Sequence, residues 1–230
     1  PPAGSIIVDG VFTRQPAAMQ PAAAAFRQLK RLDDLPPPVY DDYFSLLKTF
    51  KPHKRFFPTL PVESSRGWWW KRSIGSDQVT GCAFCNLNLQ WEGYRSKTAS
   101  QIAAEIDYLT GRHQTLSVAL MDNVLPPKEA HTIFQEVAKL NKDLRLFGEV
   151  RATTSVKDLT AMRDCGMREV QIGIEALSSH LLKKLHKGTT AIQNLEIMKN
   201  CEALGIRNIS NLILHFPGSD EDDVAETLWA

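Results

Sequence analysis

Two cysteines, Cys82 and Cys85, form a C-x-x-C pair in the segment "GCAFCNLN", with Phe84 directly before the second. Thiolates at this spacing can bind one metal centre, because the turn between them brings both sulfurs to the same side. The same spacing occurs in zinc sites, thiol redox sites and iron–sulfur sites, and two structural thiols also give it. A zinc site needs four ligands, and no second C-x-x-C and no H-x-x-x-H is present. A thioredoxin-like pair opens a helix directly, whereas a polar and aromatic segment follows here.

Composition sets the class of protein. The chain has 230 residues, a formal net charge of +1, 43% hydrophobic and 23% charged residues, and four cysteines. So few cysteines do not make a disulfide framework, and near-zero net charge gives no electrostatic reason to bind nucleic acid. No apolar run has the length of a membrane span, and no signal-peptide pattern opens the sequence. We therefore expect a cytoplasmic protein with neither nucleic acid nor membrane as partner.

The elements that must position the cysteines follow a β-α rhythm from residue 59 onward. Apolar strand patterns appear in "TLPVESS", "TLSVALMD", "LRLFGEVRA", "REVQIGIEA" and "RNISNLILHFPG", each followed by helical spacing. We expect helices to begin after Thr98 and Ser155, to stop at Gly111, Gly166 and Gly205, and to carry proline in the first turn of the second helix. Alternating strands and helices predict a parallel sheet, either a barrel wall or a doubly wound sheet. No G-x-G-x-x-G follows the first strand, so the usual dinucleotide signature is missing.

The first part of the chain differs from the rest. Residues 1–57 are rich in alanine, proline and acidic residues, and "SIIVDGVF" has the pattern of one strand. This composition indicates a connector, the tail of a preceding domain, while residues 58–230 form the core.

Six segments carry a family resemblance, in this order along the chain: "SRGWWW", "GCAFCNLN" with "YRSKT", "FGEVRAT", "QIGIEALSSHLLKKLHKGTT" and "NLILHFPG". Over residues 32–230 the chain resembles the radical S-adenosylmethionine (SAM) superfamily, most closely its cobalamin-dependent subgroup of ribosomal-peptide maturation enzymes. The resemblance implies an α/β fold, a partial (β/α)6 TIM-like barrel that is incomplete at the C-terminus, with five of six β-α units.

The resemblance also implies cofactors and chemistry. Three cysteines hold a 4Fe-4S cluster whose fourth iron binds SAM, cobalamin carries a methyl group, and a flavodoxin- or ferredoxin-like protein supplies electrons. The implied reaction is C-methylation of a peptide or small-molecule natural product. Alternatives are transfer of the 3-amino-3-carboxypropyl group of SAM, and a degenerate barrel that binds SAM or a partner without catalysis.

Matched positions give the expected site. Cys82 and Cys85 would be cluster ligands, and the expected cofactor-binding residues are Phe84, Asp122, Asn123, Glu149, Arg151, Glu175 and Asn211. Asp122 and Asn123 follow the second strand, where the family places polar groups near the methionine amino group; they also fit a turn signal. Glu175 suits the ribose hydroxyls, and Asn211 lies where the family wraps the adenosine. The stretch "LLKKLHKG" is interpreted as a solvated helix face.

One expected ligand is absent. The common C-x-x-x-C-x-x-C motif places the first cysteine at Gln78, and the subgroup places it directly after "SRG", at Trp68. No cysteine precedes Cys82. Three explanations stay open: Asp77 or a serine completes the cluster, the site is degenerate, or the sequence has been changed from its parent.

Overall fold

The computed structural model describes residues 28–70, 81–87 and 93–230. The described residues from Arg31 to Ala230 form one compact unit. Its strands are β1 (Leu60–Val62), β2 (Ser65–Gly67), β3 (Tyr94–Ser96), β4 (Ser117–Leu120), β5 (Arg145–Arg151), β6 (Met167–Glu175) and β7 (Arg207–Leu212). Its helices are α1 (Asp41–Thr49), α2 (Ala99–His113), α3 (Ala130–Ala138), α4 (Val156–Asp164), α5 (Ser179–Lys184), α6 (Ala191–Ala203) and α7 (Glu221–Trp229).

Five strands form a parallel sheet in the order β1-β4-β5-β6-β7. Each strand pairs with the next parallel strand along the chain, as in the wall of a barrel, whereas a doubly wound sheet reverses its order partway. This order confirms the partial-barrel prediction. Among the described strands the wall stays open, because β1 and β7 each have a neighbour on one side only.

The two faces of the sheet differ in burial. Residues such as Leu146, Val150 and Ile172 face the helices and are at most 3% exposed. Each such side chain contributes about 1.5–3 kcal/mol by its burial. The alternate positions of β5 and β6 are half-buried and include Glu149 and Glu175. This second face, the lumen face of the wall, carries the polar side chains toward the carboxyl ends of the strands.

Helix starts follow the sequence signals, and two expected details are wrong. Thr98 and Ser155 accept hydrogen bonds from the first turns of α2 and α4, as predicted. Gly111 does not stop α2, which runs on to His113 and ends at Gln114, a left-handed residue with φ of 51°. The side-chain amide of Gln114 donates to the Gly111 carbonyl, at 2.6 Å, and stabilises that ending. The prolines stand before α3, not in its first turn, because the segment ahead of Ala130 forms a separate turn.

An antiparallel ribbon that the sequence did not predict joins β2 to β3. It places "SRG" in a strand and leads directly to Trp68. Gly67 has a φ of 97°, and a Cβ there would lie 2.1 Å from the Gly93 carbonyl oxygen. The close approach of the two strands therefore requires glycine at this position.

Helix α5 corrects the interpretation of "LLKKLHKG" as a solvated face. Leu181, Leu182 and Leu185 are at most 1% exposed and pack with Ala176 in a second apolar cluster. Only the other side of the helix, with Lys183, faces solvent.

Part of the expected connector packs on the core unit. The ring of Phe44 stacks on that of His113, with centroids 4.3 Å apart. Asp41 accepts two hydrogen bonds from Arg112. The strand expected at "SIIVDGVF" lies outside the described residues. No helix in the described ranges is long and apolar enough to cross a membrane.

Candidate functional site

The cysteine loop, residues 81–87, lies against the C-terminal end of α5. Cys82 is 2% exposed and Cys85 is half-buried. The Cys85 amide donates to the Cys82 carbonyl at 3.1 Å, which closes the turn of the C-x-x-C pair. The Ala83 amide donates to the Leu185 carbonyl at 2.9 Å and fixes the loop to the helix. The predicted pair is thus ordered by backbone contacts.

The thiol of Cys82 is surrounded by charges of both signs. Burial raises its pKa, and the positive charges of Lys187 and Arg151 oppose that rise. The charges of Cys85 and Glu175 act in the same direction as burial. These five side chains therefore lie within electrostatic range of one another.

Lys187 and Glu175 form an ion pair at this end of β6. Nζ of Lys187 lies 2.9 Å from Oε1 of Glu175. The ammonium also lies 5.9 Å from the centre of the Phe84 ring. A Cβ at Gly173 would lie 3.0 Å from this Nζ, so the glycine leaves the space that the lysine occupies. Lys187 carries no role predicted from the sequence; the signal available was a lysine in "HKGTT", shortly after the end of α5.

Arg151, at the end of β5, lies between two tryptophans. Its Cζ is 5.7 Å from the ring centre of Trp68 and 5.4 Å from that of Trp70, which are cation–π distances. Nη2 donates to the Lys187 carbonyl at 2.9 Å. Burial lowers the pKa of Arg151, and Cys82 opposes that shift. Trp70 Nε1 donates to the His186 carbonyl at 3.0 Å. The neighbouring carbonyls of His186 and Lys187 therefore bind Trp70 and Arg151, respectively.

Asp122 is 3% exposed and accepts hydrogen bonds from the amides and hydroxyls of both Ser64 and Ser65. Burial raises its pKa to about 6, although the serine hydrogen bonds lower it. Asn123 donates from Nδ2 to the Gly67 carbonyl at 3.4 Å. Both side chains therefore hold the β2–β3 ribbon in place, and these contacts favour the turn interpretation of "MDN".

Glu149 and Asn211 complete the predicted set. Glu149 is half-buried, and burial, Asp122 and Glu175 all raise its pKa. Within the described ranges its carboxylate has no hydrogen-bond or ion-pair partner. Asn211 is exposed on β7, the edge strand of the described sheet. The structure thus gathers Cys82, Arg151 and the two glutamates at one end of the lumen face, with Asn211 at its rim.

Comparison with known proteins gives the family. A model of the radical SAM superfamily matches residues 79–228. An uncharacterised methyltransferase of Pyrococcus horikoshii is 24% identical over 204 residues, covering 87% of this chain and 41% of the relative. A tRNA-2-methylthio-N(6)-dimethylallyladenosine synthase of Clostridioides difficile is 30% identical over 160 residues, covering 64% of this chain and 34% of the relative. The chain therefore spans less than half the length of either curated relative.

The family implies a 4Fe-4S cluster that binds SAM. Such a cluster is held by three cysteines, so the positions of the four cysteines of this chain decide whether it can be bound. Cys82 and Cys85 offer two thiolates. Cys165 and Cys201 lie near the C-terminal ends of α4 and α6, at the amino ends of the strands, where burial raises their thiol pKa values to about 12 and about 11. Trp68 offers no thiolate. The described residues thus fit two of the three cysteine positions and leave the third unfilled; Asp77, the proposed substitute, lies outside them.

Solved structures agree on the fold. The cobalamin-dependent SAM radical enzyme OxsB is similar with a TM-score of 0.61 and 21% identity, over 74% of this chain and 26% of that chain. The radical SAM methyltransferase TsrM of Kitasatospora setae is similar with a TM-score of 0.60 and 15% identity, over 74% and 33%. At these identities the likeness shows the fold alone. Together with the match over residues 79–228 and the parallel barrel wall, it leads to one conclusion: this chain belongs to the radical SAM superfamily.

Proposed function

We propose that the chain is the core of a SAM-dependent methyltransferase that acts on a carbon atom of a peptide or small natural product. The observation that carries the proposal is the convergence of Cys82, Glu149, Arg151, Glu175 and Lys187 at the carboxyl end of the strands. Barrel folds place their active sites at that end. The methyltransferase names of the Pyrococcus horikoshii and Kitasatospora setae proteins support the same reaction class.

In this proposal the polar residues bind and orient SAM. Glu175 would accept hydrogen bonds from the ribose hydroxyls once Lys187 shifts or shares the carboxylate. Glu149, which has no partner within the described ranges, offers a second acceptor. Trp70, which lines a surface pocket together with Gly81, would shield the start of the cysteine loop from water. Cobalamin belongs to the proposal because OxsB is a cobalamin-dependent enzyme, and an external electron donor belongs to it because reductive cleavage of SAM needs an electron; no described residue is assigned to either.

A second candidate is a barrel that binds SAM or a partner without redox chemistry. Trp68 favours it, because a buried indole occupies the position of the first cluster cysteine. Transfer of the 3-amino-3-carboxypropyl group is a variant of the enzymatic proposal that uses the same binding residues.

The test is anaerobic incubation with SAM and a strong reductant, followed by mass spectrometry. S-adenosylhomocysteine would support methyl transfer, 5′-deoxyadenosine would indicate radical cleavage, and methylthioadenosine would indicate the alternative transfer. A Glu175→Gln variant serves as the control for site binding. If SAM binds and none of these products forms, the non-catalytic barrel stands and the enzymatic proposal fails.

A further inference from the structure

Strand β6 ends in a tight turn centred on Glu175. The Ala176 amide donates to the Ile174 carbonyl at 2.8 Å, two residues back, which is the hydrogen bond of a γ-turn. Because the φ of Glu175 is 64°, this is the rare and strained form of that turn. A strained backbone conformation persists only where the surrounding structure enforces it. The contacts around Glu175 must therefore supply that enforcement.

The side chain of Asn194, on α6, binds the carbonyls on both sides of Glu175. Its Nδ2 donates to the Ile174 carbonyl at 3.1 Å and to the Ala176 carbonyl at 2.8 Å. The orientation of the carboxamide follows from its chemistry, because an oxygen in place of Nδ2 would face two other oxygens. Asn194 is 0% exposed, so solvent does not reach it to replace these hydrogen bonds. Helix α6 thus holds the turn through one amide group.

The carbonyl of Glu175 itself is bound at the end of the neighbouring strand. The Ile213 amide, directly after β7, donates to it at 2.8 Å. The pairing of β6 with β7 shifts its register between Ile172 and Glu175, so the ladder is irregular where the turn begins. The carbonyls of residues 174, 175 and 176 therefore all accept hydrogen bonds from outside β6.

We propose that Asn194 is a positioning residue: it enforces the strained turn at Glu175 and thereby holds the Glu175 carboxylate beside Lys187. The backbone angles of a residue set the direction of its own side chain. A turn that opened would consequently move the carboxylate away from the Lys187 ammonium, which now lies 2.9 Å from it. What Glu175 binds rests on the proposed function, whereas the role of Asn194 is tested on the chain without a ligand.

A buried asparagine could also serve only to join α6 to β6, and the two roles differ in one respect. Strain at residue 175 matters for positioning and not for joining. Glycine adopts a positive φ without a steric penalty, so Glu175→Gly removes that strain. If Asn194 positions the turn, glycine at residue 175 should make Asn194 dispensable for keeping the turn closed. If Asn194 only joins the two elements, glycine should make no difference.

The experiment measures hydrogen exchange at the Ala176 amide by NMR in the cofactor-free chain. Asn194→Leu removes both donated hydrogen bonds at nearly the same side-chain size. It should speed the exchange about ten-fold or more, because two lost hydrogen bonds shift the opening equilibrium by at least that factor. Asn194→Leu combined with Glu175→Gly should restore slow exchange. Asn200→Leu, at a half-buried position of the same helix, is the matched control and should leave the exchange unchanged.

Two further measurements report on the same contacts. In the wild type, which needs no substitution, both side-chain amide protons of Asn194 should exchange slowly. Acylation of the Lys187 amine, followed by mass spectrometry, should rise in Asn194→Leu because the carboxylate no longer covers it, while the exposed Lys183 reacts as before.

Three results would each overturn the inference: fast exchange of the Asn194 side chain in the wild type, unchanged exchange at Ala176 in Asn194→Leu, or fast exchange that persists when residue 175 is glycine. None of these measurements uses SAM. A chain that failed to bind SAM would therefore contradict the proposed function and leave the role of Asn194 to be decided by the exchange rates.

Discussion

The ammonium of Lys187 lies 2.9 Å from Oε1 of Glu175, and the two side chains are only 8% and 16% exposed. Glu175 itself has a φ of 64°, a left-handed conformation that is rare for residues other than glycine. A strained backbone and a buried ion pair thus meet at the end of β6. Such strain is characteristic of binding sites that hold a side chain in one fixed direction.

Lys187→Met should destabilise the fold by about 3–5 kcal/mol, because it leaves the Glu175 carboxylate without its counter-charge. It should also raise the pKa of Cys82 further, since Lys187 lowers that pKa in the wild type. Urea unfolding and the pH dependence of Cys82 alkylation measure the two effects. Lys183→Met, on the exposed side of α5, is the control and should change neither. Unaltered alkylation in Lys187→Met would contradict the placement of the lysine beside the thiol.

Gly188→Ala should disturb the packing of the Trp70 indole against residue 188. A Cβ there would lie 2.5 Å from Cζ2 of the indole, and the φ of 73° already disfavours alanine. Gly205 separates backbone strain from the clash with Trp70, because its φ of 65° is similar and no atom lies within 4 Å of its Cβ position. We expect Gly205→Ala to cost about 1–2 kcal/mol from backbone strain alone, and Gly188→Ala to cost more in urea unfolding. Equal costs would mean that Trp70 moves away freely.

The carboxyl of Asp122 should make stability depend on pH. Its pKa is raised from 3.8 to about 6, so between these values the folded chain binds more protons than the unfolded chain. Its contribution is therefore largest below pH 3.8 and falls as pH rises to about 6, by up to about 3 kcal/mol. Asp122→Asn removes this titration. The advantage of the wild type over Asp122→Asn in urea unfolding should shrink between pH 4.5 and pH 7, and a constant difference would argue against the raised pKa.

Trp68→Cys should raise the iron bound after anaerobic reconstitution with iron and sulfide, because it supplies a third thiolate after "SRG". Cys82→Ala and Cys85→Ala should each lower the iron bound by the wild type. Trp69→Cys tests whether any cysteine in this segment suffices, and we expect it to have a smaller effect. Iron binding that survives loss of both native cysteines would remove the cluster assignment.

Local signals carried most of the fold. Thr98 and Ser155 start their helices as predicted, because a side-chain oxygen before an apolar helical pattern satisfies a free amide whatever the tertiary context. Gly111 was misjudged since a glycine inside a helix is only mildly unfavourable, and the left-handed Gln114 supplied the ending instead. The β2–β3 ribbon was missed because three-residue strands leave no measurable alternation.

The candidate site divides in the same way. The strand-end rule located Glu149, Arg151 and Glu175, since polar residues that end parallel strands meet at one edge. The same rule could not predict that the Asp122 carboxylate is already hydrogen-bonded to Ser64 and Ser65, because these bonds form only when the β2–β3 ribbon packs beside β4 in the folded chain. Lys187 was missed for the same reason, because its ion pair with Glu175 forms only when the lysine side chain packs over Gly173 in the folded chain.

Helix α5 contacts both the cysteine loop and α7. Both ends of the helix contact α7: the hydroxyl of Ser178, the residue before α5, donates to Asp223 at 3.0 Å, and Lys184, the last residue of α5, lies 2.9 Å from the same carboxylate. Its C-terminal end accepts the Ala83 amide through Leu185 at 2.9 Å. Because α5 has only six residues and contacts both α7 and the cysteine loop, we expect a loosened contact with α7 to loosen the cysteine loop as well. Asp223→Asn should accordingly speed hydrogen exchange at the Ala83 amide while the Leu146 amide, at the opposite end of the strands, keeps its protection.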